Sequence, residues 1–356
     1  MAAKYPQRKI GDDSVSAIGL GCMGMTYAYK SFGGFDDEES FKVLTAAADV
    51  GITFWDTADV YGPFTNEELI GKWFQATGRR SEIFLATKFG NRIAPDGSMH
   101  VSGSPAYVRS CCEASLARLQ TSYIDLYYQH RVDPRTPIEA TVRAMSELRR
   151  EGKVRHLGLS ECSERSLRRA HAAAAPTPIA AIQMEYSPFA LQIESPQTPL
   201  LRTARELGVK IVAYSPLGRG FLTGAITSRD QLDPTDNRIL MQPRFSEENF
   251  GQNLKLVELM TSIAQEKGCT PGQLSIAWLL AQGDDIIPIP GTKRVKYLEE
   301  NMKAVCVTLT KDEESRIRQA IDSVGGVKGE RYGAAMASVL FGDSPELQES
   351  GESEAK

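Results

Sequence analysis

Residues 52–62 read Ile-Thr-Phe-Trp-Asp-Thr-Ala-Asp-Val-Tyr-Gly. Ile52 to Trp55 is a short apolar, β-prone run following a helical pattern that stops at Gly51, which is the signature of a buried parallel strand. Asp56 closes that strand, and Tyr61 stands one short loop later. A carboxylate at a strand end and a phenol on the adjoining loop suit acid–base chemistry at the mouth of an α/β fold. An Asp in that place also serves as a turn former or helix cap, so the rest of the chain decides between the readings.

Working outward, strand and helix patterns alternate. Upstream, residues 7–18 form a polar hairpin pattern turning at Gly11-Asp12-Asp13. Residues 18–25 contain a formal G-x-G-x-x-G at Gly19, Gly21 and Gly24. A dinucleotide fingerprint would open a helix there, but the aromatic, glycine-rich stretch that follows does not read as one. A first barrel strand is expected instead, with glycines where backbone approaches a ligand. A helix runs from Asp36 to Gly51. Downstream, strands are expected over 83–87, 124–129, 154–159, 179–184, 209–213 and 286–289, each followed by at least one helix. Ser104-Pro105 is a helix start with Pro at the first helical position. The connection 218–249 is long for a compact domain, which marks it as functional. Eight such units in about 300 residues predict a (β/α)8 TIM barrel with an N-terminal β-hairpin and extra C-terminal helices. Residues 1–324 form a single domain on this reading. The tail, 325–356, becomes polar and acidic from Asp343 and is expected to be disordered there.

Composition narrows the function. Of the 356 residues 42% are hydrophobic and 24% charged, ordinary for a globular protein. A net charge of −4 argues against general binding to nucleic acid or an anionic membrane surface. No apolar run approaches the ~20 residues of a membrane span, and the polar start, Met1 to Ile10, predicts no secretory leader. Six scattered cysteines show no C-x-x-C spacing, which predicts a reducing compartment, the cytoplasm. Four histidines without ligand spacing argue against a metal-dependent hydrolase, and no metal is expected.

Asp56, Lys88 and His130 fall at the ends of the second, third and fourth strands, so a barrel would gather them at one rim beside Tyr61. Together the four suit a proton transfer coupled to hydride transfer. Lys88 would stabilise the phenolate of Tyr61 and lower its pKa, Asp56 would hold Lys88, and His130 would orient a carbonyl oxygen. None of the four is a hydride donor, so a cofactor must supply the hydride.

At these residues the chain resembles the aldo-keto reductases. The matching pieces are Asp-Thr-Ala-Asp-Val-Tyr-Gly (56–62), Thr-Lys-Phe-Gly (87–90), Asp-Leu-Tyr-Tyr-Gln-His (125–130), Gly-Leu-Ser-Glu (158–161), Gln-Met-Glu-Tyr-Ser (183–187), Tyr-Ser-Pro-Leu-Gly-Arg-Gly-Phe-Leu-Thr-Gly (214–224), Pro-Gly-Thr-Lys-Arg (290–294) and Leu-Glu-Glu-Asn (298–301). They look most similar to the pyridoxal reductase-like and perakine reductase-like group. The resemblance implies NADP(H) bound by a barrel without a Rossmann domain, with a tetrad of Asp56, Tyr61, Lys88 and His130 in which Tyr61 donates the proton. It further implies that Ser160 and Gln183 hold the nicotinamide carboxamide and that Tyr214 stacks on the ring. Gly21, Cys22 and Met23 would line the ribose, and Ser215, Pro216, Leu217, Gly218 and Gly220 would wrap the pyrophosphate. Thr292, Lys293 and Arg294, at a helix N-terminus and followed by Glu300 and Asn301, would suit a 2′-phosphate. Two departures stand out. Glu161 occupies a place where the family often has Asn, which puts a direct cofactor contact there in doubt, and Cys22 replaces a frequent threonine.

A small carbonyl compound would enter a cleft rimmed by loops. Tyr61 and His130 would touch it, with Tyr27 and Phe89 as walls and Tyr29, Phe32 and Phe245 as further candidates. Arg331 and Tyr332 could fold over the mouth. The resemblance also extends to potassium-channel β subunits, which makes a cofactor-binding regulatory subunit the alternative function.

Overall fold

The computed structural model describes residues 5–27, 34–93 and 99–348. Strands β1 (Gln7–Ile10) and β2 (Asp13–Ser16) pair antiparallel across the expected Gly11-Asp12 turn. This hairpin plugs one end of the barrel. Ile10 and Val15 join Phe54, Phe84, Leu126, Tyr128 and Ile287 in the interior cluster. Ser16 Oγ accepts from the amides of Thr53 and Phe54 at 3.1 and 3.2 Å, which stitches the plug to the barrel wall.

The wall begins with β3 (Leu20–Gly21), β4 (Phe54–Asp56) and β5 (Phe84–Phe89). A separate hairpin of β6 (Asn91–Ile93) and β7 (Met99–Val101) stands in the connection that follows. The wall continues with β8 (Ile124–Gln129), β9 (Val154–Ser160), β10 (Ala181–Glu185), β11 (Lys210–Tyr214) and β12 (Ile286–Pro288). The eight are parallel in the order β3-β4-β5-β8-β9-β10-β11-β12. Closure comes from backbone bonds, Gly19 N to Pro288 O at 2.9 Å and Gly21 N to Pro290 O at 3.2 Å, and a Gly21–Gly291 bridge. A Cβ on Gly21 would lie 2.8 Å from the Ile289 carbonyl oxygen, and one on Gly19 the same distance from the Phe54 ring. The close approach expected at these glycines is therefore made by the barrel's own last strand and core.

Helices cover the outside. Asp36 accepts from the Glu38 and Glu39 amides at 2.9 and 3.2 Å and so starts the helix Asp37–Val50, which Gly51 ends in a left-handed conformation. Its Val43, Leu44 and Ala47 pack into the same outer layer as Trp55, Trp73 and Phe74. Fully burying each of the large side chains contributes roughly 1.5–3 kcal/mol. The connection 218–249 is not irregular throughout. It holds three short 3₁₀ segments and the helix Asn237–Met241, folded around Phe221 and Phe245. No helix of the described residues is long and apolar enough to cross a membrane.

The tail differs from expectation. Residues 343–346 make contacts with the barrel. Ser344 is buried and its Oγ accepts from the Ile138 amide at 3.1 Å, capping a helix whose own N-cap, Pro137, has no side-chain donor or acceptor. Asp343 accepts from Ser166 Oγ at 3.1 Å. Polar composition there serves long-range capping. Residues 349–356 lie outside the described residues, as do Tyr29 and Phe32.

Candidate active site

The strand ends decide what meets at the mouth. Along β5 side chains alternate, so Phe84 and Ala86 face the interior with Lys88, while Leu85 and Phe89 face the helices. Phe89 packs on Tyr127 with ring centroids 4.9 Å apart, fully buried in the outer layer. It is therefore not a wall of the cleft, contrary to expectation. Phe245 is likewise buried, against Phe221 at 5.4 Å, and supports the long connection from within.

Lys88 is the centre of the cluster. Its Nζ donates to Asp56 Oδ1 at 2.5 Å, to the Thr57 carbonyl at 2.7 Å and to Tyr61 Oη at 3.3 Å. The far oxygen of Asp56 accepts from Gln183 Nε2 at 2.7 Å. His130 stands edge-on to Tyr61, centroids 5.8 Å apart, and the half-exposed Tyr27 stacks on its other side at 6.5 Å. Four sequence-distant groups thus share one rim, as the strand-end pattern required.

Their charges follow from burial. Burial alone would discharge Lys88, but the Asp56 carboxylate and the Tyr61 oxygen outweigh it and hold the ammonium above its ordinary value. Burial pushes Asp56 up, opposed by Lys88 and the Gln183 amide. For Tyr61 the expectation needs correcting. Burial raises the phenol above 10.0 despite the pull of Lys88, because Asp56 cancels part of that ammonium's field. Tyr61 therefore stays protonated at neutral pH. Burial, with Arg131 and Lys88 adding to it, pushes His130 well below 6.5, so the imidazole is neutral and has an N–H to donate.

Beside this cluster lies a shelf. Ser160 ends β9, and Gln183 and Tyr214 occupy β10 and β11. After Tyr214 the backbone turns left-handed at Ser215, Gly218, Arg219 and Gly220 (φ 50°, 54°, 59° and 93°). Left-handed residues placed in a turn like this aim amide N–H groups into a concavity that suits an anion. Thr292 Oγ1 caps the exposed Arg294 amide at 3.1 Å ahead of the helix Val295–Met302. Glu300 on that helix accepts from Thr270 Oγ1 at 2.7 Å, and Asn301 is buried beside it. Cys22 is buried with its thiol toward the Leu20 carbonyl, 3.7 Å away, and Met23 opens a 3₁₀ turn.

Sequence reasoning named the place of Glu161 without its partners. Held left-handed at φ 49°, its carboxylate receives Arg331 Nη1 and Nη2 at 2.8 and 2.7 Å and Tyr214 Oη at 3.0 Å. Arg331 and Tyr332 do fold over the mouth. Glu185, on the next strand, pairs with Arg219 at 2.9 Å, Arg244 at 3.2 Å and Arg331 at 3.6 Å. Glu185 and Arg219 stood in the quoted motifs, but nothing local marked them as partners. Burial opposes ionisation of Glu185, yet the three guanidinium groups bring it down to about 2. A folded-state value below the ordinary 4.5 contributes stability that is whole above that pH and lost as pH falls toward 2. Thermal midpoints of the wild type should therefore drop more steeply over that window than those of Glu185→Gln. Parallel curves would refute the assignment.

At the opposite face a cleft of about 300 Å³ is lined by Tyr5, Asp13, Thr53, Tyr123 and Arg155. That end of such barrels serves stability, and none of the four converging groups reaches it.

The fold and this rim define a (β/α)8 oxidoreductase. A model of the aldo/keto reductase family matches residues 17–322, and the chain belongs to that family, whose members reduce aldehydes and ketones. It is 53% identical over 347 residues to aldo-keto reductase str7 of Strobilurus tenacellus, covering 96% of this chain and 98% of that one. It is 50% identical over 343 residues to aldo-keto reductase yakc [NADP(+)] of Schizosaccharomyces pombe, with 96% and 98% covered. Among solved structures, the glycerol dehydrogenase of Gluconobacter oxydans superposes with a TM-score of 0.79 at 28% identity, covering 91% of this chain and 96% of that one.

Proposed function

We propose that the chain reduces an aldehyde or ketone to an alcohol with NADPH, and that Tyr61 gives the proton. The observation that carries this is Lys88, fully buried and hydrogen-bonded at once to Asp56 and Tyr61. On this reading Tyr61 Oη and a neutral His130 N–H both hold the carbonyl oxygen. Tyr61 donates its proton as negative charge develops there, and the ammonium of Lys88 stabilises the phenolate left behind. Asp56 keeps Lys88 charged and in place. When bound, the reduced nicotinamide supplies the hydride. Ser160 Oγ and the free oxygen of Gln183 suit its carboxamide, Tyr214 its ring, and the turn 215–220, left-handed at Ser215, Gly218, Arg219 and Gly220, its pyrophosphate.

Thr292, Lys293 and Arg294 support NADPH over NADH, and the Schizosaccharomyces relative carries NADP(+) in its name. Arg294→Ala is expected to weaken NADPH about tenfold, roughly 1.4 kcal/mol, and NADH much less. Equal effects in a fluorescence titration would reverse the assignment. Tyr27, stacked on Tyr61, supports an aromatic wall for the substrate. The cytoplasm is the compartment we favour, on six cysteines that form no disulfide. The regulatory-subunit alternative has no observation of its own behind it, and a complete proton-donor cluster favours turnover. Mixing the protein with NADPH and 4-nitrobenzaldehyde tests the reading. Turnover abolished by Tyr61→Phe supports it, and tight NADPH binding without turnover across an aldehyde panel would favour the alternative.

A further inference from the structure

Four guanidinium groups crowd the barrel mouth, and three are matched by carboxylates. Arg331 is held by Glu161, and Arg219 and Arg244 by Glu185. The fourth, Arg131, follows His130 at the end of β8 and is 5% exposed. Among the described residues no carboxylate lies within 4.0 Å of it. Only its Nη1 has acceptors, the His130 carbonyl at 2.7 Å and Ser160 Oγ at 3.5 Å, while Nε is buried without one. It follows His130 directly and reaches Ser160, which sets it beside the rim, and its charge acts on Tyr61, His130 and Tyr332.

The Glu161 carboxylate acts on this guanidinium from beyond ion-pair distance, and a buried cation without a direct ion pair is a place where an arriving anion is stabilised. The cofactor's phosphates have their own places, the run 215–220 after β11 and the turn 292–294 after β12. Arg131 lies just past the end of β8, which β9 and β10 separate from β11. We infer that Arg131 is a specificity-determining residue that takes a carboxylate borne on the carbon next to the reacting carbonyl, making 2-oxo acids the substrate class. The inference rests on the reductase reading above. Nη2, with no partner among the described residues, keeps its donors for a carboxylate, while Tyr61 and His130 hold the neighbouring carbonyl oxygen. Neutralising that carboxylate also keeps the carbonyl carbon open to a hydride, which an adjacent negative charge would repel. The balance is simple. NADPH gives the hydride to carbon, Tyr61 gives the proton to oxygen, the carboxylate is unchanged, and a 2-hydroxy acid and NADP⁺ leave.

The test compares phenylglyoxylate with its methyl ester in wild type, Arg131→Gln and Arg131→Lys, alongside NADPH titrations. In wild type the acid should have the higher kcat/KM. The acid-to-ester ratio should fall about 100-fold in Arg131→Gln, within the range for losing a buried charge partner, and recover in part in Arg131→Lys. An unchanged ratio overturns the inference. So does a loss that appears equally in NADPH affinity, which would place Arg131 on the nicotinamide. Should Arg131→Gln not fold, mandelate against methyl mandelate as inhibitors of wild type decides. Competition by mandelate alone supports the inference, and equal inhibition overturns it. Failure of wild type to reduce even the ester or a reactive aldehyde would instead sink the reductase reading itself.

Discussion

Tyr61→Phe is expected to lower kcat for aldehyde reduction about 10³-fold while NADPH still binds, since a positioned proton donor contributes roughly 10²–10⁴-fold. The variant keeps the ring that Tyr27 stacks on and that His130 meets edge-on, so the change is confined to one oxygen. Among the described residues that oxygen is the only tyrosine hydroxyl bonded to Lys88 Nζ. Its neighbours in the cluster do not replace it. His130 is neutral and far from acidic, and Lys88 is tied to Asp56 and the Thr57 carbonyl. Stopped-flow kinetics with a reactive aldehyde measures this. A loss below about fivefold would mean that the proton comes from elsewhere.

The second large effect is on stability. Arg331→Ala strips Glu161 of both strong donors and takes one of three cations from Glu185, inside a site where both carboxylates are buried. Removing one partner of a buried pair costs about 3–5 kcal/mol, mostly because the remaining charge is stranded. For a chain of this size, that corresponds to a thermal midpoint lower by roughly 4–7 °C. Tyr214 loses rigidity with it, because its hydroxyl rests on the Glu161 oxygen that Arg331 also binds. NADPH affinity should fall in parallel. A midpoint within about 2 °C of wild type would show that the strap carries no such load.

Periodicity and capping signals made the barrel legible. The eight strands, the N-terminal hairpin and the Asp36 and Gly51 helix ends all lie within a few residues of expectation. The rim cluster was legible because strand ends of a parallel barrel face one way. The error at Phe89 came from neglecting the two-residue period, since if Lys88 points inward its neighbour must point out. Other features depend on distance in sequence. Glu161 and Arg331 are 170 residues apart, and Ser344 caps Ile138 from 206 residues away, so no local pattern announces either contact. The raised phenol of Tyr61 was missed for a related reason. The field of Lys88 can be guessed from its motif, but the burial that outweighs it is a property of the assembled mouth.

The most direct measurement follows a label from cofactor to product. NADPH carrying deuterium at the reactive face of C4 is incubated with the protein and 4-nitrobenzaldehyde, and the alcohol is analysed by mass spectrometry. A rim that joins phenol, ammonium, carboxylate and imidazole beside a nicotinamide yields alcohol with deuterium on the carbinol carbon, in step with NADPH consumed and nearly absent with Tyr61→Phe. Unlabelled alcohol, or full labelled turnover without the Tyr61 hydroxyl, would contradict the account.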